Sequence, residues 1–224
     1  MERLDLLILA AFEPELAPLR AAAALGPGLA GRLSGRTVAA RAVGIGMPSA
    51  AAGAATALAE LGAGTVVLVG TCGAYRGAGL AIGDVIVANV VRVADVAAAE
   101  GRAEFPAPMV TSLPSDSRLR LELARSGARP AHVATTLGIT VDDASAARVA
   151  QATGSQVEHL EAFGVATACA ARGIPFAAVL GVANFVGSGA REEWRQHHRA
   201  AASAVAACVL RWLGAGAGER GAPP

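Results

Sequence analysis

Thr65-Val66-Val67-Leu68-Val69-Gly70-Thr71-Cys72-Gly73-Ala74-Tyr75 is the stretch that decides the fold. Its first half, Thr65–Gly70, is a short apolar run rich in β-branched residues, the pattern of a strand buried on both faces. Its second half changes character at once. Two glycines bracket Thr71 and Cys72, so backbone N–H groups can approach a ligand closely and a hydroxyl stands among them. Working outward, the same kind of run recurs at Asp5–Ala11, Thr37–Val43, Asp84–Ala94, His132–Val141 and Phe176–Ala183. Helix-length segments separate them: Glu15–Ala24, Pro48–Leu61, Asp116–Arg125, Asp143–Ala152, Glu161–Arg172 and Arg191–Trp212. Pro14 and Pro48 stand at helix starts, where a missing N–H costs nothing. Strand–helix alternation with continuous apolar strands predicts a mainly parallel sheet covered on both faces. The long strand over Asp84–Ala94, followed by the Gly- and Pro-containing loop Gly101–Pro114, predicts a mixed sheet.

The bulk numbers agree with one α/β domain. A chain of 224 residues can bury roughly 70% of the surface that its unfolded form exposes and needs no staples. Hydrophobic residues make up 54% and charged ones 17%, with the apolar weight in Ala, Val and Leu. Small side chains imply many close helix–sheet contacts rather than a few aromatic anchors. The domain is expected over residues 1–213, and the Gly/Ala/Pro-rich tail Gly214–Pro224 is expected to be disordered. The net charge of +1 and the lack of a basic stripe exclude a phosphate-tracking nucleic-acid binder. The richest basic cluster, Arg191–Arg199, contains Glu192 and Glu193 and is expected to be a solvated helix face. Cys72, Cys169 and Cys208 are scattered in apolar stretches, against a disulfide framework and against a zinc site. The apolar segment Val165–Val186 is interrupted by Arg172, Gly173 and Pro175, so no run reaches the ~18 residues of a membrane span. The opening Met1-Glu2-Arg3-Leu4-Asp5 lacks the basic flank of a secretory leader. A cytoplasmic protein without membrane or nucleic-acid partners is expected.

Ligands in α/β sheets gather beyond the carboxyl ends of strands, and four such ends carry unusual residues. Phe12-Glu13-Pro14-Glu15 places two carboxylates two residues apart; either alone is explained by the helix dipole, which favours acids in a first turn. Gly70-Thr71-Cys72-Gly73 makes Cys72 a conceivable nucleophile, against the commoner buried and inert thiol. Gly44-Ile45-Gly46-Met47 is a similar Gly-rich exit, but it lacks the full G-x-G-x-x-G pattern of a phosphate cradle. Glu158-His159-Leu160-Glu161 sets two carboxylates and an imidazole at the start of an apolar helix. Buried carboxylates are costly without donors, and ribose hydroxyls would supply them. Last, Asn184 ends the very apolar strand Phe176–Ala183, as a turn residue or as a ligand-facing amide.

Together these clusters resemble the purine nucleoside phosphorylase and nucleosidase superfamily over nearly the whole chain. The matching segments are Gly70-Thr71-Cys72-Gly73, Ile82-Gly83-Asp84, Leu160-Glu161 and Ala183-Asn184. The resemblance implies a single three-layer α/β/α domain around a twisted, partly closed mixed sheet, a nucleoside ligand, no cofactor or metal, and a homo-oligomer. The arginines that phosphorylases of the bacterial hexameric type place in the first loop and before the Gly-Ser are absent; Phe12-Glu13-Pro14-Glu15 and Leu68 stand there. The nucleosidases are similar in their Glu-x-Glu first loop, whose second acid matches Glu15 as the general base toward water. Adenine-cleaving members carry Asp where this chain has Asn184. An amide NH₂ suits the two acceptors N7 and O6 of a 6-oxopurine better.

Within the superfamily the chain is most similar to the futalosine hydrolases. It shares their Glu-x-x-Glu spacing at Glu158–Glu161, Asn184-Phe185-Val186-Gly187, a C-terminal helix bearing Trp194, Ala94-Asp95 and Thr140-Val141-Asp142. Leu180 and Leu160 replace their arginine and methionine. That resemblance implies release of hypoxanthine in menaquinone biosynthesis. It also implies roles: Glu15 and Asn184 catalytic, Glu161 on the ribose hydroxyls, Thr71 on a sugar or water oxygen. Gly73, Leu160, His159 and Glu158 would complete the substrate site. Phosphorolysis, adenine release from methylthioadenosine or adenosylhomocysteine, and a non-catalytic nucleoside-binding module are the alternatives.

Overall fold

The computed structural model describes residues 3–23 and 30–218. In chain order the elements are β1 (Leu6–Ala10), α1 (Glu13–Ala23), β2 (Ala30–Leu33), β3 (Arg36–Ala42), α2 (Met47–Leu61), β4 (Val66–Ala74), β5 (Val85–Val93), α3 (Val96–Ala99), β6 (Ser112–Pro114), α4 (Ser117–Arg125), β7 (Arg129–Thr135), α5 (Asp143–Thr153), β8 (Val157–Glu158), α6 (Ala162–Ala170), β9 (Phe176–Phe185) and α7 (Ala190–Gly218).

Side chains alternate across each central strand, which creates the layers. Along β1, Leu7 and Leu9 enter one apolar cluster, with α2 and α6, while Leu6, Ile8 and Ala10 enter another, with α1, α4 and α7. A smaller cluster of Tyr75, Ala134, Ala146, Val149 and Val186 sits beneath α5. The three-layer α/β/α expectation therefore holds, and so does the mixed sheet. Nine strands among the described residues form one sheet, in the order β2-β3-β1-β4-β8-β7-β5-β6, with β9 pairing both β4 and β5. The pairings β4–β8, β8–β7, β7–β5, β5–β9 and β9–β4 close into a ring, and β1, β3 and β2 extend outward from β4.

Several boundaries differ from the sequence expectation, each for a tertiary reason. The strand at Thr65 does not stop at Gly70. It continues to Ala74 because β9 pairs with it throughout, across an irregularity between Cys72 and Gly73. The run expected as a strand over His132–Val141 ends at Thr135. Farther along, Glu158 captures both the N–H and the hydroxyl of Thr140, at 3.0 and 2.6 Å, and ties that segment into a loop. The short strands β2, β6 and β8 were not anticipated. The β2–β3 hairpin turns through Ser34 and Gly35, both at positive φ (49° and 78°), the two-residue geometry that matches strand twist. The tail expected to be disordered from Gly214 is helical through Gly218; residues 219–224 lie outside the described set. Among the described residues no helix is long and apolar enough to cross a membrane.

Helices α2 and α6 touch through backbone. A Cβ built on Gly164 would lie 2.4 Å from the Met47 carbonyl oxygen, whereas one on Gly214 would meet no atom within 4 Å. Gly164→Ala is therefore expected to destabilise the fold by about 1–3 kcal/mol, while Gly214→Ala is neutral or stabilising by up to about 1 kcal/mol. Urea unfolding of the two variants beside the parent checks the pair.

Candidate active site

The site begins with an unpaired stretch of strand edge. On one side of β4, β1 pairs only as far as Leu68, and β8 takes over at Gly73. Between them the Thr71 N–H has no strand to meet, and a buried N–H must find a partner. It finds Glu15 in the first turn of α1, donating to Oε1 at 2.8 Å, and the Thr71 hydroxyl lies 3.0 Å from the same oxygen. Gly70 makes room for the carboxylate: a Cβ there would stand 3.1 Å from Oε1 and 3.2 Å from Oε2. The helix phase thus separates the two acids of the first loop. Glu13 is exposed and pairs with Arg20 at 2.8 Å, whereas Glu15 is only 8% exposed and its Oε2 is buried with no partner. Burial pushes the Glu15 carboxyl up to about 7; the two Thr71 donors pull it down, and the nearby Glu161 charge pushes it further up.

Glu15, Thr71, Gly73, Glu158, His159, Leu160, Glu161 and Asn184, all singled out from the sequence, line one cavity of about 420 Å³. Their environments differ. Glu161 Oε1 accepts the Gly46 N–H at 2.7 Å, so the Gly44-Ile45-Gly46 loop spends a donor on a carboxylate rather than on a phosphate. Glu161 Oε2 lies 3.3 Å from His159 Nδ1. That nitrogen already accepts the N–H groups of Glu161 and Ala162, both at 3.1 Å, so its lone pair faces them and the proton sits on Nε2. The contact is consequently no ion pair, in keeping with the burial that pushes His159 toward its neutral form. Glu161 Oε2 is left without a donor. Glu158, by contrast, is saturated by Thr140 and by the Tyr75 hydroxyl at 3.1 Å; it shapes the wall.

Asn184 lies inside β9 rather than in a turn, paired in register with Gly73. Its Nδ2 gives one N–H to Phe185 O at 2.9 Å, leaving a second N–H and Oδ1 free. Gly73 is required beneath it, since a Cβ there would come within 2.8 Å of Nδ2. Cys72 lines the cavity but is buried, and burial reinforced by the Glu15 charge pushes its thiol far up, which removes it as a nucleophile. Leu180, where the resemblance implies an arginine, is fully buried in the apolar cluster beneath α2 and α6 and does not line the cavity.

The start of α7 does more than the solvated helix face expected of it. Arg191 and Arg195, expected on a solvated helix face, are exposed but also line the cavity from the start of α7, beside Trp194. Among the described residues Arg191 has no ion pair, and Arg195 has only Glu192, at 3.5 Å in the open. Ile45 and Ile139 are large apolar residues that line the same cavity while remaining 62% and 46% exposed. The mouth is therefore both apolar and cationic, above a floor of carboxylates. A basic residue every fourth position from Arg191 was the available signal. Among the described residues no group of His, Cys, Asp or Glu could hold a metal ion.

The raised Glu15 carboxyl has a consequence for stability. Between its ordinary value of 4.5 and about 7, the folded protein holds a proton that the unfolded chain has lost, so stability falls as pH rises through that window. Glu15→Gln removes the cost. It is expected to exceed the parent in stability at pH 8 by on the order of 3 kcal/mol, a difference that shrinks toward pH 4.5, as thermal melts across pH would record.

The curated futalosine hydrolase of Streptomyces coelicolor is 35% identical over 120 residues, 51% of this chain; the match spans about half (51%) of that relative's length. A 5′-methylthioadenosine/S-adenosylhomocysteine nucleosidase from Colwellia psychrerythraea, solved with adenine, superposes with a TM-score of 0.83 over 95% of this chain and 96% of its own, at 20% identity. A futalosine hydrolase mutant of Helicobacter pylori gives 0.82 over 95% and 99%, at 15% identity. At these identities the structural likeness is one of fold. The profile of the Phosphorylase superfamily matches residues 2–213, and this chain belongs to that superfamily.

Proposed function

We propose that this protein hydrolyses the N-glycosidic bond of a purine nucleoside, a 6-oxopurine of the futalosine type, releasing hypoxanthine. The observation that carries the proposal is the pair of incomplete carboxylates. Glu15 and Glu161 line one cavity; Glu15 Oε2 is buried with no partner, and Glu161 Oε2 meets only the His159 Nδ1 lone pair. Unpaired buried acceptors are costly, so the ligand that fits must bring O–H groups to both. A ribose diol satisfies Glu161, whose other oxygen is anchored by Gly46. A water satisfies Glu15.

The chemistry follows from that arrangement. The oxygen of water bonds to C1′ as the bond from C1′ to the base nitrogen breaks. Glu15 Oε2 takes the proton of the water, and the base leaves with the bonding electrons. A carboxyl held up to about 7 is matched to taking a proton near neutral pH. The free N–H of Asn184 donates to N7 of the departing base and stabilises its charge, without giving up the proton. No cofactor enters any of these steps.

The cationic mouth supports an anionic group at the 5′ end of the nucleoside, held by Arg191 and Arg195. The apolar Ile45 and Ile139 would flank the carbon skeleton that leads to it. The same two isoleucines favour a second reading, cleavage of methylthioadenosine, whose 5′ end is apolar and uncharged.

Chromatography of the base released in phosphate-free buffer from futalosine, inosine and methylthioadenosine separates these readings. Hypoxanthine from futalosine is expected. Adenine from methylthioadenosine alone would favour the second reading, turnover only with added phosphate would make the protein a phosphorylase, and binding without base release would make it a binding module. Glu15→Gln is expected to lower kcat by about 10²–10⁴-fold while substrate still binds. Arg191→Ala combined with Arg195→Ala should raise KM for a carboxylate-bearing nucleoside about tenfold or more and leave inosine unaffected in steady-state kinetics. Asn184→Asp should move the ratio of kcat/KM values toward adenine nucleosides.

A further inference from the structure

The Thr71 hydroxyl is held from both sides. The indole N–H of Trp194 reaches Thr71 Oγ1 at 3.1 Å, and Oγ1 lies 3.0 Å from Glu15 Oε1. An indole N–H can only donate, so Oγ1 must accept there, and its own proton is directed at Glu15. The chain of donors runs one way, from Trp194 through Thr71 to the carboxylate. Trp194 is itself fixed. Its ring stacks on His198 with centroids 4.3 Å apart and planes 14° from parallel, and His198 Nδ1 lies 2.9 Å from the Trp194 carbonyl oxygen, to which it can only donate. One residue earlier, Glu193 Oε2 accepts the Phe185 N–H at 2.7 Å and pins this turn of α7 to the end of β9.

From this geometry we infer that Trp194 is a positioning residue for Glu15: acting through Thr71, it locks Oε1 as an acceptor and leaves Oε2 as the one atom free to take a proton. The inference deepens the hydrolase reading and rests on it for its catalytic meaning, but the hydrogen-bond relay exists in the free protein. Without the indole N–H the Thr71 hydroxyl is free to rotate away, and Glu15 keeps only its backbone donors, at Thr71 and Ala11. The other titratable or charged groups that face this carboxylate or share its cavity are Glu161, Cys72, Glu158, His159, Arg191 and Arg195. None of them donates to it.

Trp194→Phe removes the N–H and keeps an aromatic ring against His198. The readout is the ¹³C side-chain carboxyl resonance of Glu15, assigned by its loss in Glu15→Gln and titrated without substrate. Losing a donor to the ionised form raises a carboxyl, so the midpoint in Trp194→Phe is expected to rise by about half a unit to one unit. Thr71→Val should raise it as well, and adding Trp194→Phe to Thr71→Val should change nothing further. In the parent, the indole N–H proton of Trp194, told from that of Trp212 by Trp212→Phe, should titrate with the Glu15 midpoint and stop doing so in Glu15→Gln. If substrate is cleaved, kcat/KM at pH 6 falls about three- to tenfold, in kcat rather than KM. An unmoved Glu15 midpoint in folded Trp194→Phe, or an indole resonance that ignores Glu15 in the parent, overturns the inference. Shifted midpoints in a protein that cleaves no nucleoside would sink the hydrolase reading and leave the positioning role standing. Where Trp194→Phe does not fold, the indole titration of the parent decides.

Discussion

One unmet backbone donor organises the functional end of this molecule. Strand β4 is longer than either neighbour on one side, and the changeover from β1 to β8 leaves the Thr71 N–H facing a gap. A buried amide cannot stay unpaired, and water would fill the gap if protein did not. Glu15 fills it, entering from the first turn of α1 against the bare Cα of Gly70. The stabilising act and the poising act are thus the same contact: one carboxylate oxygen completes the strand, and burial of the other raises the group toward neutrality. A fold that closed β1 and β8 against β4 along its whole length would gain hydrogen bonds and lose the site.

The rest of the cavity repeats this logic with different outcomes. Glu158 meets three donors and becomes structural. Glu161 meets one backbone donor and one imidazole lone pair and remains half-satisfied. Asn184 spends one N–H on its neighbour and retains the other. Residue type alone does not separate these roles; the count of donors around each oxygen does. The polar floor thereby acquires direction, with acceptors waiting at Glu15 and Glu161 and a donor at Asn184.

Much of this was legible in the chain before folding. The β-branched run before Gly70, the helix-length segments between strands and the carboxylates clustered at Glu158–Glu161 led to the three-layer mixed sheet and to residues that share one cavity. What sequence could not supply was phase and pairing across distance. Glu13 and Glu15 look alike in a first turn, and only the docking of α1 turns one outward and the other onto Thr71. The Thr71–Glu15 contact spans 56 residues and the Trp194–Thr71 contact 123, and no local pattern announces either. Arg191 and Arg195 have the composition of a solvated face, and they line the cavity because Glu193 pins their helix turn to Phe185. The strand expected through Val141 failed because side-chain capture of Thr140 by Glu158 overrode β propensity.

The closed ring of β4, β8, β7, β5 and β9 has a bearing on solubility. Among the described strands only β2 and β6 end the sheet, with four and three residues, and Glu15 fills the gap that the ring leaves along β4 at Thr71. Open strand flanks are templates for runaway pairing between molecules, and short ones with proline are poor templates. β6 carries Pro114, which has no N–H to offer, and β2 is the outer arm of a tight hairpin. A chain that is 54% hydrophobic and rich in β-branched strands thus ends its sheet on two short strands that offer fibril-like growth little to pair with.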